Sequence, residues 1–249
     1  MTTNNKLIRV FIVIILLVAP VAYLFYKTAG VPPMPKDVAP VAGTQLSDLP
    51  TLENLVQTRP TFDNLINLST AYINNKMPGK SIDHLKRAIG LNPSSAIAYN
   101  DLGVAYTMMQ QYGEGVENCT RALQLDSTFQ LAKNNLKWAT DEKNKVLEAI
   151  HLQEQTPDNK RDIAFYSDYG FNYFKIGDYT KSIDIWNKIF ELDVKNTGAL
   201  NSIGTAFMMK NQVEDAIVLF KKAIELEPAN QLAKNNLAWA MGEEQKMKK

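Results

Sequence analysis

Gln130 to Ala139 reads QLAKNNLKWA, and Gln231 to Ala240, 101 positions later, reads QLAKNNLAWA. Nine of these ten positions agree, so the chain contains a long internal duplication. Self-similarity at a fixed period marks architectures in which each unit buries its apolar face only against its neighbours. This stretch therefore decides the fold class.

Working outward, the long period divides into shorter steps. Four stretches of 34 residues begin at Phe62, Ala96, Ile163 and Thr197 and agree position by position in side-chain size. The eighth residue is Ser69, Gly103, Gly170 or Gly204, and the twentieth is Ser81, Gly115, Ser182 or Ala216. All are small, and paired helices approach to about 8 Å only where the side chains at the crossing are minimal. The eleventh residue is Tyr72, Tyr106, Tyr173 or Phe207, the seventh is Leu68, Leu102, Tyr169 or Ile203, and the twenty-seventh is Ala88, Ala122, Ile189 or Ala223. Pro93 and Pro228 close the first and fourth copies, as expected just past a helix end.

This pattern resembles the tetratricopeptide repeat (TPR), with Leu102, Gly103, Tyr106, Ala216, Phe220, Ala223 and Pro228 at the family's offsets. The resemblance covers Phe62 to about Trp239. The family's tryptophan at the fourth position is replaced by Leu65, Tyr99, Tyr166 or Leu200. It implies an all-α TPR-type solenoid of helical hairpins, about eleven helices, in two modules. Module 1 spans 51–155, with repeats 62–95 and 96–129 and a capping helix from 130. Module 2 spans 156–249, with repeats 163–196 and 197–230 and a capping helix from 231.

No Gly or Pro interrupts Gln130 to Thr156, so that stretch reads either as one helix to about Glu154 or as a degenerate repeat. An echo of Leu52-Glu53, Gln57-Thr58 and Pro60 in Leu147-Glu148 and Gln155-Thr156-Pro157 suggests a short extra helix at the start of each half. Trp138 and Trp239 read as lids over the open end of each module.

Ahead of the repeats, residues 7–26 read LIRVFIVIILLVAPVAYLFY, about 30 Å as a helix and matched to a bilayer's hydrocarbon core. An uncleaved signal anchor is expected, the alternative being a signal peptide cleaved near Thr28 to Gly30. Lys6 and Arg9 outweigh Lys27, which keeps residues 1–6 cytoplasmic and places the repeats in the periplasm or lumen; the reverse topology would make a cytosol-facing anchored receptor. Residues 27–50 carry Pro32, Pro33, Pro35, Pro40 and Pro50 and read as a semi-rigid linker.

Without Lys6, Arg9 and Lys27 the chain has 24 basic against 26 acidic residues, so nothing favours nucleic acid, which needs a clustered basic face. Cys119 is the sole cysteine and takes the twenty-fourth position beside Leu85, Trp186 and Phe220, where a small hydrophobe belongs. His84 and His151 lie in different modules without metal-ligand spacing. There is no G-x-S-x-G, Walker or G-x-G-x-x-G motif. The expectation is therefore a non-enzyme with no cofactor and no metal.

In the family, a groove lined by the first helix of each pair takes peptides or partner helices. Its fifth position is Ile66, Asn100, Asn134, Ser167, Asn201 or Asn235, and its sixth Asn67, Asp101, Asn135, Asp168, Ser202 or Asn236. An asparagine amide both donates and accepts, so it can pair with a peptide backbone of any sequence. Asn67, Asn100, Asp101, Asn134, Asn135, Asn201 and Asn235, with Phe171 and Met208 as apolar contacts, are the candidate partner-binding set; Val104, Met108 and Phe174 lie near them. Asparagines here can equally bridge adjacent helices, and Met or Phe at this spacing is commonly core. Replacing Asn100 and Asn201 by Ala is expected to weaken a partner with little loss of melting temperature, whereas a large stability loss favours the bridge.

The expected function is a membrane-tethered scaffold or adaptor for a protein or peptide in envelope assembly. The alternative is a non-catalytic subunit completing an enzyme complex, as in cytochrome maturation or secretion machinery. Protease applied to the exported side of sealed membranes should degrade the repeats; protection there, with cleavage from the cytoplasmic side, would give the opposite topology.

Overall fold

The computed structural model describes residues 49–248, which form eleven α-helices and one short 3-10 turn, with no strand among them. In chain order these are α1 (Leu49–Thr58), α2 (Phe62–Asn74), α3 (Pro78–Leu91), α4 (Ala96–Met108), α5 (Tyr112–Leu125) and α6 (Gln130–Glu154), then the turn Asp158–Lys160. After it come α7 (Ile163–Lys175), α8 (Tyr179–Leu192), α9 (Thr197–Met209), α10 (Val213–Leu226) and α11 (Gln231–Met247). The expected membrane span 7–26 and nearly all of the linker lie outside the described residues. Among the described residues no helix is long and apolar enough to cross a membrane. Among the described residues the first helix, Leu49–Thr58, takes in the last two residues of the expected linker, with Pro50 in its first described turn, where a missing N–H costs nothing.

The chain forms two compact units. Among the described residues, one holds 49–160 and 171–178, and the other holds 161–170 and 179–248. In the first unit, the hairpins α2–α3 and α4–α5 pack in sequence order and α6 packs on both α4 and α5. In the second, α9–α10 form a hairpin against which α11 packs.

The small residues lie where the helices cross. A Cβ on Gly103 would sit 2.5 Å from Cys119 Sγ and 3.0 Å from the Gly115 carbonyl oxygen. On Gly204 it would sit 2.6 Å from Phe220 Cε1, and on Gly170 it would overlap the Trp186 indole. In the copies that carry serine, the hydroxyl joins the contact: Ser182 Oγ donates to the Gly170 carbonyl at 2.8 Å. The eighth and twentieth positions thus face each other, and the twenty-fourth fills the space beside them. Leu85, Cys119 and Phe220 are fully buried there, and Trp186 nearly so.

Helix starts are set by side-chain caps. Thr61, Ser95, Asn196 and Asn230 each accept from the backbone N–H three residues on, at 3.3, 3.2, 2.9 and 3.0 Å, satisfying donors the helix leaves open. Asp162 Oδ1 does the same for Phe165 at 2.8 Å.

The first helix of every pair ends in one motif. The fifteenth residue of each repeat, Lys76, Gln110, Gly177 or Asn211, is left-handed with φ of 57, 59, 84 and 59°. The next N–H reaches back to the carbonyl of the eleventh-position aromatic: Met77 to Tyr72, Gln111 to Tyr106, Asp178 to Tyr173 and Gln212 to Phe207, at 2.8 to 3.0 Å. This Schellman closure reverses the chain and suits glycine. Only the third copy has it.

The stretch 130–154 is one continuous helix of 25 residues rather than a degenerate repeat. α1 supplies the extra helix of the first half. The second half has no separate one; the end of α6 takes that role. Glu53 Oε1 accepts from the Tyr72 hydroxyl at 2.5 Å, and Glu154 Oε1 from the Tyr173 hydroxyl at 3.2 Å, the same pair displaced by 101 residues. The echo anchored on Leu147 and Pro157 was therefore out of register.

Replacing Gln110 by Gly should raise stability by about 0.5–1 kcal/mol, because a residue with a Cβ is strained at this φ. Urea denaturation would show it as a higher midpoint; a lower midpoint would remove the account of the turn.

Candidate functional site

The expected groove residues sit on the first helices of successive hairpins, and their amides lie largely between helices. In the first unit a buried hydrogen-bond chain crosses three helices. Thr70 Oγ1 on α2 donates to Asp101 Oδ2 on α4 at 3.1 Å, Asn100 Nδ2 donates to Asp101 Oδ1 at 3.0 Å, and Asn135 Nδ2 on α6 donates to Asn100 Oδ1 at 2.7 Å. Asn100, Asp101 and Asn135 have no exposed surface. The second unit repeats the last link in looser form, Asn236 Nδ2 on α11 to Asn201 Oδ1 on α9 at 3.5 Å. Thr205 Oγ1 donates to the Asn201 carbonyl at 2.8 Å.

These side chains therefore act as bridges in this structure. Asn100, Asp101, Asn135 and Asn201 are buried, with almost no surface turned to solvent. Met208 is also buried, packed with Val213, Ala216, Phe220 and Ala240. The rest are half-exposed. Asn67 is on α2. Asn134 and Asn235 each accept from a glutamine one turn earlier, Gln130 at 3.1 Å and Gln231 at 2.9 Å. Phe171 stacks on buried Phe174 with ring centroids 6.2 Å apart, and Lys175 Nζ lies 4.6 Å from its ring. Beside them, Ile97 and Asp168 are exposed and Ser202 half-exposed. Trp138 packs in the core with Leu102 and Tyr106, and Trp239 packs against the cluster around Phe220.

Cys119 is fully buried against Gly103, and burial, helped by the nearby Asp101 charge, pushes its thiol up to about 12. A thiol so far from ionising is no nucleophile at neutral pH. Among the described residues, no group of three or more His, Cys, Asp or Glu is placed to hold a metal ion.

One feature escaped the sequence reading. His84 stacks on Tyr72 at 5.9 Å between ring centroids, and with Glu53 and Arg87 it lines a cleft of about 400 Å³ where α1, α2 and α3 meet. Burial, followed by the adjacent Arg87 charge, lowers the His84 pKa, while burial and Glu53 raise that of Tyr72. The 19-residue spacing of Glu53 to Tyr72, repeated in Glu154 to Tyr173, was the available signal.

Hairpins of about 34 residues, crossing on minimal side chains and ending in one shared turn, define a repeat solenoid of helical hairpins. The chain belongs to the Est1 DNA/RNA binding domain family, whose model matches residues 81–220, more than half its length; a tetratricopeptide repeat model matches residues 62–95.

FK506-binding protein 59 of Drosophila melanogaster is 30% identical over 102 residues, 41% of this chain; the chain spans 23% of that relative's length. Among solved structures, the P58(IPK) TPR domain is similar at 15% identity with a TM-score of 0.39, over 81% of this chain and 61% of that one. The TPR2AB domain of yeast Sti1, solved with an HSP90 peptide, is similar at 16% identity with a TM-score of 0.37, over 77% and 74% of the two chains. MamA is similar at 22% identity with a TM-score of 0.32, over 72% and 86%.

Asn100→Ala should lower stability by about 1–3 kcal/mol, because Asn135 Nδ2 and Asp101 Oδ1 would each lose a buried partner. Thermal denaturation would read this as a lower melting temperature. An unchanged melting temperature would return Asn100 to the surface role expected from sequence.

Proposed function

We propose that this chain is a membrane-tethered scaffold that holds a protein or peptide partner along the first helices of its hairpins, on the exported side. The observation that carries the reading is the buried chain from Thr70 through Asp101 and Asn100 to Asn135. It fixes α2, α4 and α6 against one another, so the half-exposed groups above them, Asn67 and Asn134, are presented on a preorganised surface. Preorganisation lowers the ordering cost of binding, which is how such a surface gains affinity without a deep pocket. Phe171, with its flanking Lys175, adds an aromatic face for an apolar or acidic side chain. The apolar span at residues 7–26 and the proline-rich linker support tethering at a membrane.

The family's name raises nucleic acid as a partner. Basic and acidic residues are nearly balanced, and Lys137, Lys145, Lys188, Lys246 and Lys248 each pair with an acidic residue three or four positions away. A near-zero net charge gives a weak overall field for drawing phosphates and releasing their counterions. A polypeptide is the better fit.

A photo-crosslinking amino acid at Asn67 should capture a protein in intact cells, whereas one at exposed Glu117, on the second helix of a hairpin, should not. Equal capture at both positions, or a nuclease-sensitive product, would contradict the reading.

A further inference from the structure

One contact recurs between successive hairpins. The eighteenth residue of a repeat lies in the first turn of its second helix, and it meets positions fourteen and fifteen of the next repeat, the turn that closes that repeat's first helix. A Cβ on Gly79 would sit 3.7 Å from Met109 Cε, and one on Gly113 would sit 2.6 Å from the Ile176 carbonyl oxygen and 2.9 Å from Gly177 Cα. Lys210 Nζ donates to Thr180 Oγ1 at 3.1 Å. Each of these contacts lies within one unit. Two members of the series remain: Glu214, the eighteenth residue of the fourth repeat, and Asn75 with Lys76, the turn of the first. Glu214 and Lys76 are both exposed.

We propose that copies of this chain associate head to tail, the turn at Asn75 and Lys76 of one copy seated against the start of α10, at Glu214, of another. Three features favour a second copy as the occupant. The duplication supplies the mould: Gly113 and Glu214 are 101 positions apart, as are the turns at Asn75-Lys76 and Ile176-Gly177. Within the first unit the segment 171–178 stands against both α5 and α6, through Gly113 and through Asn172 and Tyr173 on Gln153 and Glu154. The counterpart surface on α11 is uncovered, for Met247 is 59% exposed where Val146, its partner in the duplication, is 9% exposed, and Met241 is 44% exposed. Charge supplies the direction. The first turn of α10 carries Glu214 and Asp215, while the first repeat's turn carries Lys76, with Lys80 following on α3. Unlike ends attract and like ends repel. Where Gly113 lets two backbones touch, Glu214 and Lys76 would span the same junction with side chains, as Thr180 and Lys210 do. Such a contact is heterologous, so it extends into a row or closes into a ring. It does not depend on what the groove holds.

The test uses the full chain in detergent, as two differently tagged variants, Glu214→Cys and Lys76→Cys. Cys119 is fully buried and does not compete. Under mild oxidation the mixture should give dimers that carry both tags, and neither variant alone should give them in comparable yield. In sedimentation, Glu214→Lys should weaken self-association about fivefold, and adding Lys76→Glu to the same chain should restore it, with helical content unchanged throughout. A monomer at every concentration, equal cross-linking of like and unlike variants, or no restoration in the double variant would overturn the proposal. So would a photo-crosslinking residue at Glu214 that captures a different protein, or residues 1–48 of its own chain, in place of a second copy.

Discussion

Everything in this molecule follows from how closely two helices of a hairpin approach. At the eighth and twentieth positions the side chains are Gly, Ser or Ala, and at Gly103 and Gly115 the two backbones meet with almost nothing between them. That approach brings the twenty-fourth side chain over the crossing, where Leu85, Cys119, Trp186 and Phe220 fill four differently shaped spaces. Among the described residues, stability then accumulates from neighbour to neighbour without a sheet. The lone thiol is one consequence: Cys119 is buried because Gly103 leaves room for sulfur and little else.

The same closeness explains the buried polar chain. First helices lying side by side bring the fifth and sixth positions of successive repeats within hydrogen-bonding reach. An Asn or Asp there must find a partner inside or remain unsatisfied at a cost. In the first unit Thr70, Asp101, Asn100 and Asn135 satisfy one another. In the second, Ser202 stands where Asp101 does in the first, and only the longer Asn236 to Asn201 link remains. Duplication preserved the packing more faithfully than the polar bridge.

What was legible in the sequence was what size alone dictates. The small pairs and the aromatic at the eleventh position need only a register, whereas the absence of Gly and Pro from Gln130 to Glu154 left one helix and a degenerate repeat both open. The left-handed turn residue was hidden because Lys76, Gln110, Gly177 and Asn211 share no side-chain type; the backbone bond to the preceding aromatic's carbonyl imposes the conformation. The asparagines were visible as a recurrence but not in direction. Positions five and six border both the groove and the neighbouring helix, and the interhelix distance decides which one the amide meets. The cleft at His84 needs three helices to assemble it, and no local pattern in α1, α2 or α3 announces that.

The most direct test of the close crossing is a double-mutant cycle on Gly204 and Phe220, measured by urea denaturation. If the two occupy one another's space, Gly204→Ala should destabilise strongly in the native background and much less beside Phe220→Leu, giving a coupling of about 1 kcal/mol or more. Additivity within about 0.5 kcal/mol would mean that the helices do not meet at the eighth position, and would contradict the account of the fold.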